Sequence, residues 1–163
     1  MKSLFIIRHA KSNWADFGKT DFERELNERG KKDAPEMAKR LIEKKIVIDT
    51  FVSSPAIRAK NTCQAFCKAY HTNTDNIIFF DSLYHATVED FYSVLSSLNK
   101  IHNRVAVFSH NPGITSFVNT LIKEVHIDNM PTCAVFAVNI NTDGWSNLRQ
   151  AEKNFLFFDY PKL

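Results

Sequence analysis

Short apolar runs that stop abruptly at polar clusters set the pattern of this chain. Leu4-Phe5-Ile6-Ile7 ends at Arg8-His9, Asp49-Thr50-Phe51-Val52-Ser53 at Ser54-Pro55, and Val105-Ala106-Val107-Phe108 at Ser109-His110. Runs of this length predict buried strands opening onto loops. Ile77-Ile78-Phe79-Phe80 reads as a fourth strand. Residues 134–140 and 154–158 read as two more, joined by a turn at Asn141-Thr142-Asp143-Gly144.

Between the strands the spacing becomes helical. Asn27 is a good N-cap for a helix carrying Ala34, Met37, Ala38, Leu41 and Ile42. Pro35 inside that pattern predicts a kink, or a restart with Pro35 in the first turn. Ser54-Pro55 predicts a cap followed by proline at the first helical position, ahead of a buried face of Ala59, Cys63, Phe66, Cys67 and Tyr70. Thr87 and Asp90 resemble a capping box, with Asp for Glu, before Phe91, Val94, Leu95 and Leu98. A last helix carries Ile114, Phe117, Val118, Leu121 and Ile122. Residues 10–26, with Trp14, Phe17 and Gly18, show no period and read as a long functional loop. Alternating strands and helices without repeat or linker predict an α/β fold: three α/β/α layers around a mainly parallel sheet, in one domain over residues 1–163.

Composition narrows the function. A chain of 163 residues with 44% apolar and 24% charged residues can close one core. A net charge of +3, spread along the chain, speaks against nucleic-acid or membrane partners, so any anion must be caught by a local cluster. The N-terminal apolar run is too short for a signal peptide, and no stretch nears the roughly 20 apolar residues of a membrane span. Three cysteines (Cys63, Cys67, Cys133) form no disulfide framework, and the expectation is a cytoplasmic protein. Cys63 and Cys67, four apart on a helix, have no matching His or Cys pair and read as core, so no metal is expected.

Arg8-His9, Ser53-Ser54-Pro55 with Arg58, and Ser109-His110 all follow strands, and open α/β sheets bind ligands beyond the carboxyl ends of their strands. Two arginines and two histidines thus meet at one pocket. Helix N-termini near Pro55 and Pro112 would add backbone donors. Guanidinium forks match phosphoryl oxygens, a neutral imidazole is a nucleophile, and a second, protonated imidazole would stabilise developing charge. Neither a Walker loop nor a two-metal array is present, which favours cofactor-free phosphoryl transfer.

Arg8-His9-Ala10-Lys11-Ser12-Asn13-Trp14, Ser53-Ser54-Pro55-Ala56-Ile57-Arg58-Ala59 and His110-Asn111-Pro112-Gly113 resemble the signature blocks of the histidine phosphatase superfamily, which is phosphoglycerate mutase-like. Residues 23–30, 83–86 and 130–132 are similar to its SixA-type phosphohistidine phosphatase branch. The resemblance implies that His9 becomes phosphorylated, that Arg8, Arg58 and His110 form the phosphate pocket, and that Ser12 and the backbone N–H of Asn111 touch the phosphate. It also implies that no metal or cofactor is needed. Ala10, Ser109, Glu25 and Cys133 depart from the family pattern; at Ser109 and Cys133 glycine is usual.

Larger relatives protonate a leaving alcohol with a carboxylic acid. Here no acid stands clearly at the matching place; Glu89 and Asp90 fit a helix start, while Asp16, Asp21 and Glu23 could approach from the loop. An alkoxide gains about 10²–10⁴-fold from such an acid. A phosphohistidine imidazole protonated on its other nitrogen leaves neutral and needs none. The expected substrate is therefore a protein phosphohistidine, with a small phosphorylated metabolite or a non-catalytic phosphoprotein-binding module as alternatives. Lys11 reads as a surface lysine, His71, His102 and His126 as solvated, and residues 155–158 as a core or edge strand. His85 stands open between pocket wall and bystander.

Overall fold

The computed structural model describes residues 1–15 and 17–162. Six strands form one sheet in the order β3-β2-β4-β1-β5-β6: β1 (Lys2–Arg8), β2 (Thr50–Ser53), β3 (Ile78–Phe79), β4 (Arg104–Ser109), β5 (Val135–Ile140) and β6 (Lys153–Asp159). The strands β3, β2, β4 and β1 run parallel, β5 runs antiparallel to β1, and β6 antiparallel to β5. The mainly parallel α/β sheet expected from the strand–helix alternation is what forms.

The strand period of two sorts side chains onto two cores. Leu4 and Ile6 of β1, Val105 and Val107 of β4, and Phe136 and Val138 of β5 face one cluster with Phe91, Leu95 and Phe117. Phe5, Ile7, Ala106, Phe108, Val135 and Ala137 face the other, with Met37, Leu41, Phe66 and Cys67. Helices α1 (Glu28–Glu43) and α2 (Ile57–Ala69) supply the second cluster, α3 (Val88–Ser96) and α4 (Gly113–Val118) the first. Both faces are covered, giving the three layers.

Local signals account for most boundaries. Asn27 caps α1, its side chain accepting from Gly30 N–H, and the Thr87–Asp90 capping box is complete in both directions. Pro35 neither restarts nor divides α1, which is continuous for 16 residues. Ile42, expected on its buried face, is exposed. Helix α2 starts at Ile57 with Ala56 as N-cap, not at Ser54-Pro55, because the Ser54 hydroxyl accepts from Ala56 N–H and meets His110. Helix α4 stops at Val118; Asn119 then ties its amide to both main-chain groups of Ile127, although Leu121 and Ile122 still reach the core. Strand β6 is an edge strand, with Leu156 bulged between the pairs Ala137–Phe157 and Val138–Phe155.

One close approach locks α1 to the loop after β1. A Cβ on Gly30 would lie 2.2 Å from the Lys11 carbonyl oxygen, which itself accepts from Asn27 N–H. Gly30→Ala should therefore cost roughly 1–3 kcal/mol, the usual range for overpacking. Denaturant unfolding checks this: a midpoint equal to wild type would show that the loop yields freely.

Candidate active site

Three adjacent strands, β2, β4 and β1, end side by side. Arg8 pairs with Ser109, Ser53 with Phe108, His9 N–H donates to Ser109 O, and Ser54 N–H donates to Phe108 O. Pairing at the sheet centre thus brings together residues 8–9, 53–58 and 109–111. Beyond these ends lies a cavity of about 620 Å³ lined by Arg8, His9, Ser12, Arg58, His110 and Asn111, with Asp21, Arg24 and His85 completing its wall. The open question over His85 resolves to pocket wall. Lys11 is exposed, as expected of a surface lysine, and also lines the cavity mouth.

His9 is buried and its Nδ1 lies 2.7 Å from the Ala10 carbonyl oxygen. A carbonyl can only accept, so Nδ1 carries the proton and Nε2 of the neutral ring keeps its lone pair. Burial, then the charges of Arg8 and Arg58, push the His9 pKa down to about 3 against the raising effect of that hydrogen bond. The ring is held by its surroundings. Ala10 N–H donates to the buried Thr62 hydroxyl at 2.9 Å, and that hydroxyl donates to the Arg58 carbonyl at 2.8 Å. Cys133 N–H bridges the carbonyls of Arg8 and His9 at 3.1 and 3.0 Å. Cys133 does so at φ 61°, a left-handed conformation that suits glycine and explains the glycine usual at this place.

Arg8 Nη1 donates to the Met130 carbonyl at 2.8 Å. Both terminal nitrogens of Arg58 reach Asp21, Nη1 to its carbonyl at 2.6 Å and Nη2 to Oδ2 at 3.1 Å. Arg24 joins from the loop: Nη1 meets Asp21 Oδ1 at 2.5 Å, Nε donates to Ser12 Oγ at 3.0 Å, and its guanidinium lies 3.6 Å from the Trp14 ring centroid. Three buried side-chain nitrogens find no hydrogen-bond partner among the described residues: Arg8 Nε, Arg58 Nε and His110 Nδ1. Buried polar atoms are rarely left so, and all three cluster around this one cavity.

His110 lies beside His9, ring centroids 5.2 Å apart, and its Nε2 is 2.7 Å from Ser54 Oγ. Burial, then His9 and Arg58, lower its pKa to about 2. Without a bound anion these surroundings favour the neutral ring; the protonation expected of His110 beside a phosphoryl group would draw on the charge of that anion.

Among the described residues, the candidate carboxyls are committed to other partners. Asp21 is partly buried, which raises its pKa, but the Tyr84 hydroxyl, Arg58 and Arg24 outweigh this and hold it well below the usual carboxylate range. It reaches the cavity as an anion, not as an acid. Glu23 bonds to Thr20, Glu89 to Arg149, and Asp90 caps α3. Asp16 lies outside the described residues. At the two helix N-termini, Ile57 N–H donates to the Phe22 carbonyl and Ile114 N–H to that of His110. Asn111 lines the cavity while its side-chain amide serves Asn129, Met130 and Thr115. His71 and His126 are exposed, whereas His102 pairs with Thr50 at 2.8 Å. Arg24, Thr62 and Tyr84 escaped the sequence reading. Only the spacing of Thr62, one helical turn after Arg58, could have pointed to it.

Both rings should stay neutral on mild acidification. Each has a folded pKa below its unfolded value of 6.5. The resulting stability is therefore full above that value and is lost as pH falls toward 3 and 2. Long-range ¹H–¹⁵N NMR should show His9 as the Nδ1–H tautomer with no titration of either ring down to about pH 5. A midpoint between about 6 and 7 for His9 would contradict this geometry.

Residues 4–78 match the histidine phosphatase superfamily (branch 1). No curated protein sequence matches significantly. A SixA-type protein from Agrobacterium tumefaciens superimposes with a TM-score of 0.82, 25% identity and 98% of each chain covered. The protein histidine phosphatase SixA bound to tungstate gives a TM-score of 0.82 at 21% identity over 97% of this chain and 96% of that one. A mycobacterial glucosyl-3-phosphoglycerate phosphatase gives 0.68 at 12% over 94% and 96%. The superfamily match spans residues 4–78, and the whole chain shares the fold of SixA-type phosphatase structures.

Proposed function

We propose that this phosphatase, acting as one domain over residues 1–163, hydrolyses phosphohistidine in a protein through a phosphorylated His9. The carrying observation is the His9 ring, held neutral with Nδ1–H on Ala10 O and a free lone pair on Nε2. Nε2 attacks phosphorus as the P–N bond of the substrate breaks. The departing imidazole, protonated on its other nitrogen, takes the electron pair and leaves neutral. Water then attacks the phosphoryl group on His9, the P–Nε2 bond breaks, and the water proton passes to the released phosphate. The Ala10 hydrogen bond keeps Nδ1 protonated throughout, so His9 also leaves as a neutral ring.

Arg8 and Arg58 supply positive charge to the phosphoryl oxygens, with Ser12 and Asn111 on the same wall. His110 beside them can take a proton once the anion is bound and share the charge of the transition state. That the carboxyls near the pocket, among the described residues, are ionised, capping or hydrogen-bonded elsewhere supports a leaving group that needs no acid. Tungstate on a SixA protein is a tetrahedral oxyanion like phosphate, which agrees with the reading. The unpaired Cys63, Cys67 and Cys133 suit a cytoplasmic setting.

Wild type and His9→Ala should be assayed with a phosphohistidine protein and a panel of small phosphomonoesters, with EDTA present. We expect wild type to prefer the phosphohistidine protein, to be unaffected by EDTA, and to lose at least about 10³-fold on substitution, as loss of a nucleophile does. Equal release by both proteins removes His9 from its role. Preference for a small ester favours a metabolite as substrate, as in the glucosyl-3-phosphoglycerate phosphatase. Binding without release leaves a phosphoprotein-binding module.

A further inference from the structure

Among the described residues, Asp21 is the one carboxylate lining a cavity whose other charged groups are Arg8, Lys11, Arg24 and Arg58. Its contacts go beyond neutralising charge. It takes both terminal nitrogens of Arg58, Nη1 on its main-chain carbonyl oxygen and Nη2 on Oδ2, so that one carboxylate oxygen and one neutral acceptor hold the fork. A phosphoryl group that draws on these same two nitrogens competes for them with Asp21.

The carboxylate has somewhere to stay after the exchange. Oδ1 is held by Arg24 and Oδ2 by the Tyr84 hydroxyl at 2.6 Å, both independent of Arg58. Tyr84 in turn packs edge-on against Phe22, ring centroids 5.1 Å apart, and against His110 at 5.6 Å, so the carboxylate is anchored at the pocket wall. It remains there as a fixed negative charge beside a bound phosphoryl group.

We propose that Asp21 is a specificity-determining residue: a built-in competitor for Arg58 that admits a doubly charged phosphoryl group and disfavours any further anionic group beside it. This rests on the phosphatase reading of the pocket. A lone carboxylate brings Arg58 no more charge than Asp21 already does, so it gains nothing by exchange. A phosphoryl dianion does gain. Once it is seated, Coulomb repulsion from Asp21 penalises a substrate carboxylate nearby but not an uncharged or cationic remainder such as imidazole. Asp21 can also reclaim Arg58 as the product phosphate departs.

Asp21→Asn keeps the main-chain carbonyl and the shape while removing the charge. Inorganic phosphate binding, measured by titration calorimetry at fixed ionic strength, should tighten by about tenfold. The kcat/KM for 3-phosphoglycerate, which carries a carboxylate, should rise relative to that for phosphoimidazole. Asp21→Ser should move both readouts the same way, and an unchanged Tm shows that the loop is intact. Phosphate binding no tighter than wild type, or weaker, overturns the proposal and makes Asp21 a residue that positions Arg58. If neither protein binds phosphate or releases it from either substrate, the phosphatase reading of the pocket fails instead.

Discussion

The hydrogen bond from His9 Nδ1 to the Ala10 carbonyl is local, joining neighbours in sequence, yet it is useful only because the Ala10 main chain cannot move. Thr62 on α2 takes the Ala10 N–H, Gly30 on α1 presses on the Lys11 carbonyl, and Cys133 ahead of β5 clamps the carbonyls of Arg8 and His9. Elements that share one core cluster, α1, α2 and the segment ahead of β5, thus fix one short stretch of backbone. Its position decides which imidazole nitrogen is protonated and where the other one points. The central place of β1 and β4 in the sheet is what lets these supports arrive together.

Burial sets the charge of the pocket. Removing cations from water is costly unless they are paired. Arg58 is paired through Asp21, and Arg8 rests on a main-chain carbonyl. The two histidines resolve the same problem by staying neutral, which also preserves the nucleophile. A bound phosphoryl dianion would alter these terms: it brings negative charge to Arg8 and Arg58 and makes a proton on His110 favourable. The arrangement suits an anion that arrives, is transferred and leaves, since His9 stays a neutral nucleophile until it is bound.

Much of this was legible in the chain. The apolar runs ending in Arg8-His9, Ser53-Ser54 and Ser109-His110 predicted buried strands, and the rule for open sheets predicted that their ends meet. Boundaries set by tertiary contact were not legible. Ser54-Pro55 looks like a helix start, but Ser54 is drawn to His110 and α2 begins at Ile57. Pro35 looks like a break, yet the helix continues because packing of Ala34, Met37, Ala38 and Leu41 outweighs one missing donor. Loop residues 10–26 carry no period, so the meeting of Asp21 with Arg58, 37 residues away, could not be read from spacing. The charge state of His110 likewise depends on burial and neighbours that sequence does not display.

The most direct test of the account is to trap the phosphorylated protein. Rapid acid-avoiding quench of wild type with a phosphohistidine substrate, followed by proteolysis and mass spectrometry, should find one acid-labile phosphoryl group. It should lie on the peptide containing Arg8-His9-Ala10, at His9 Nε2 by ³¹P–¹H NMR. A phosphoryl group on His110, on a serine, or at His9 Nδ1 would contradict it.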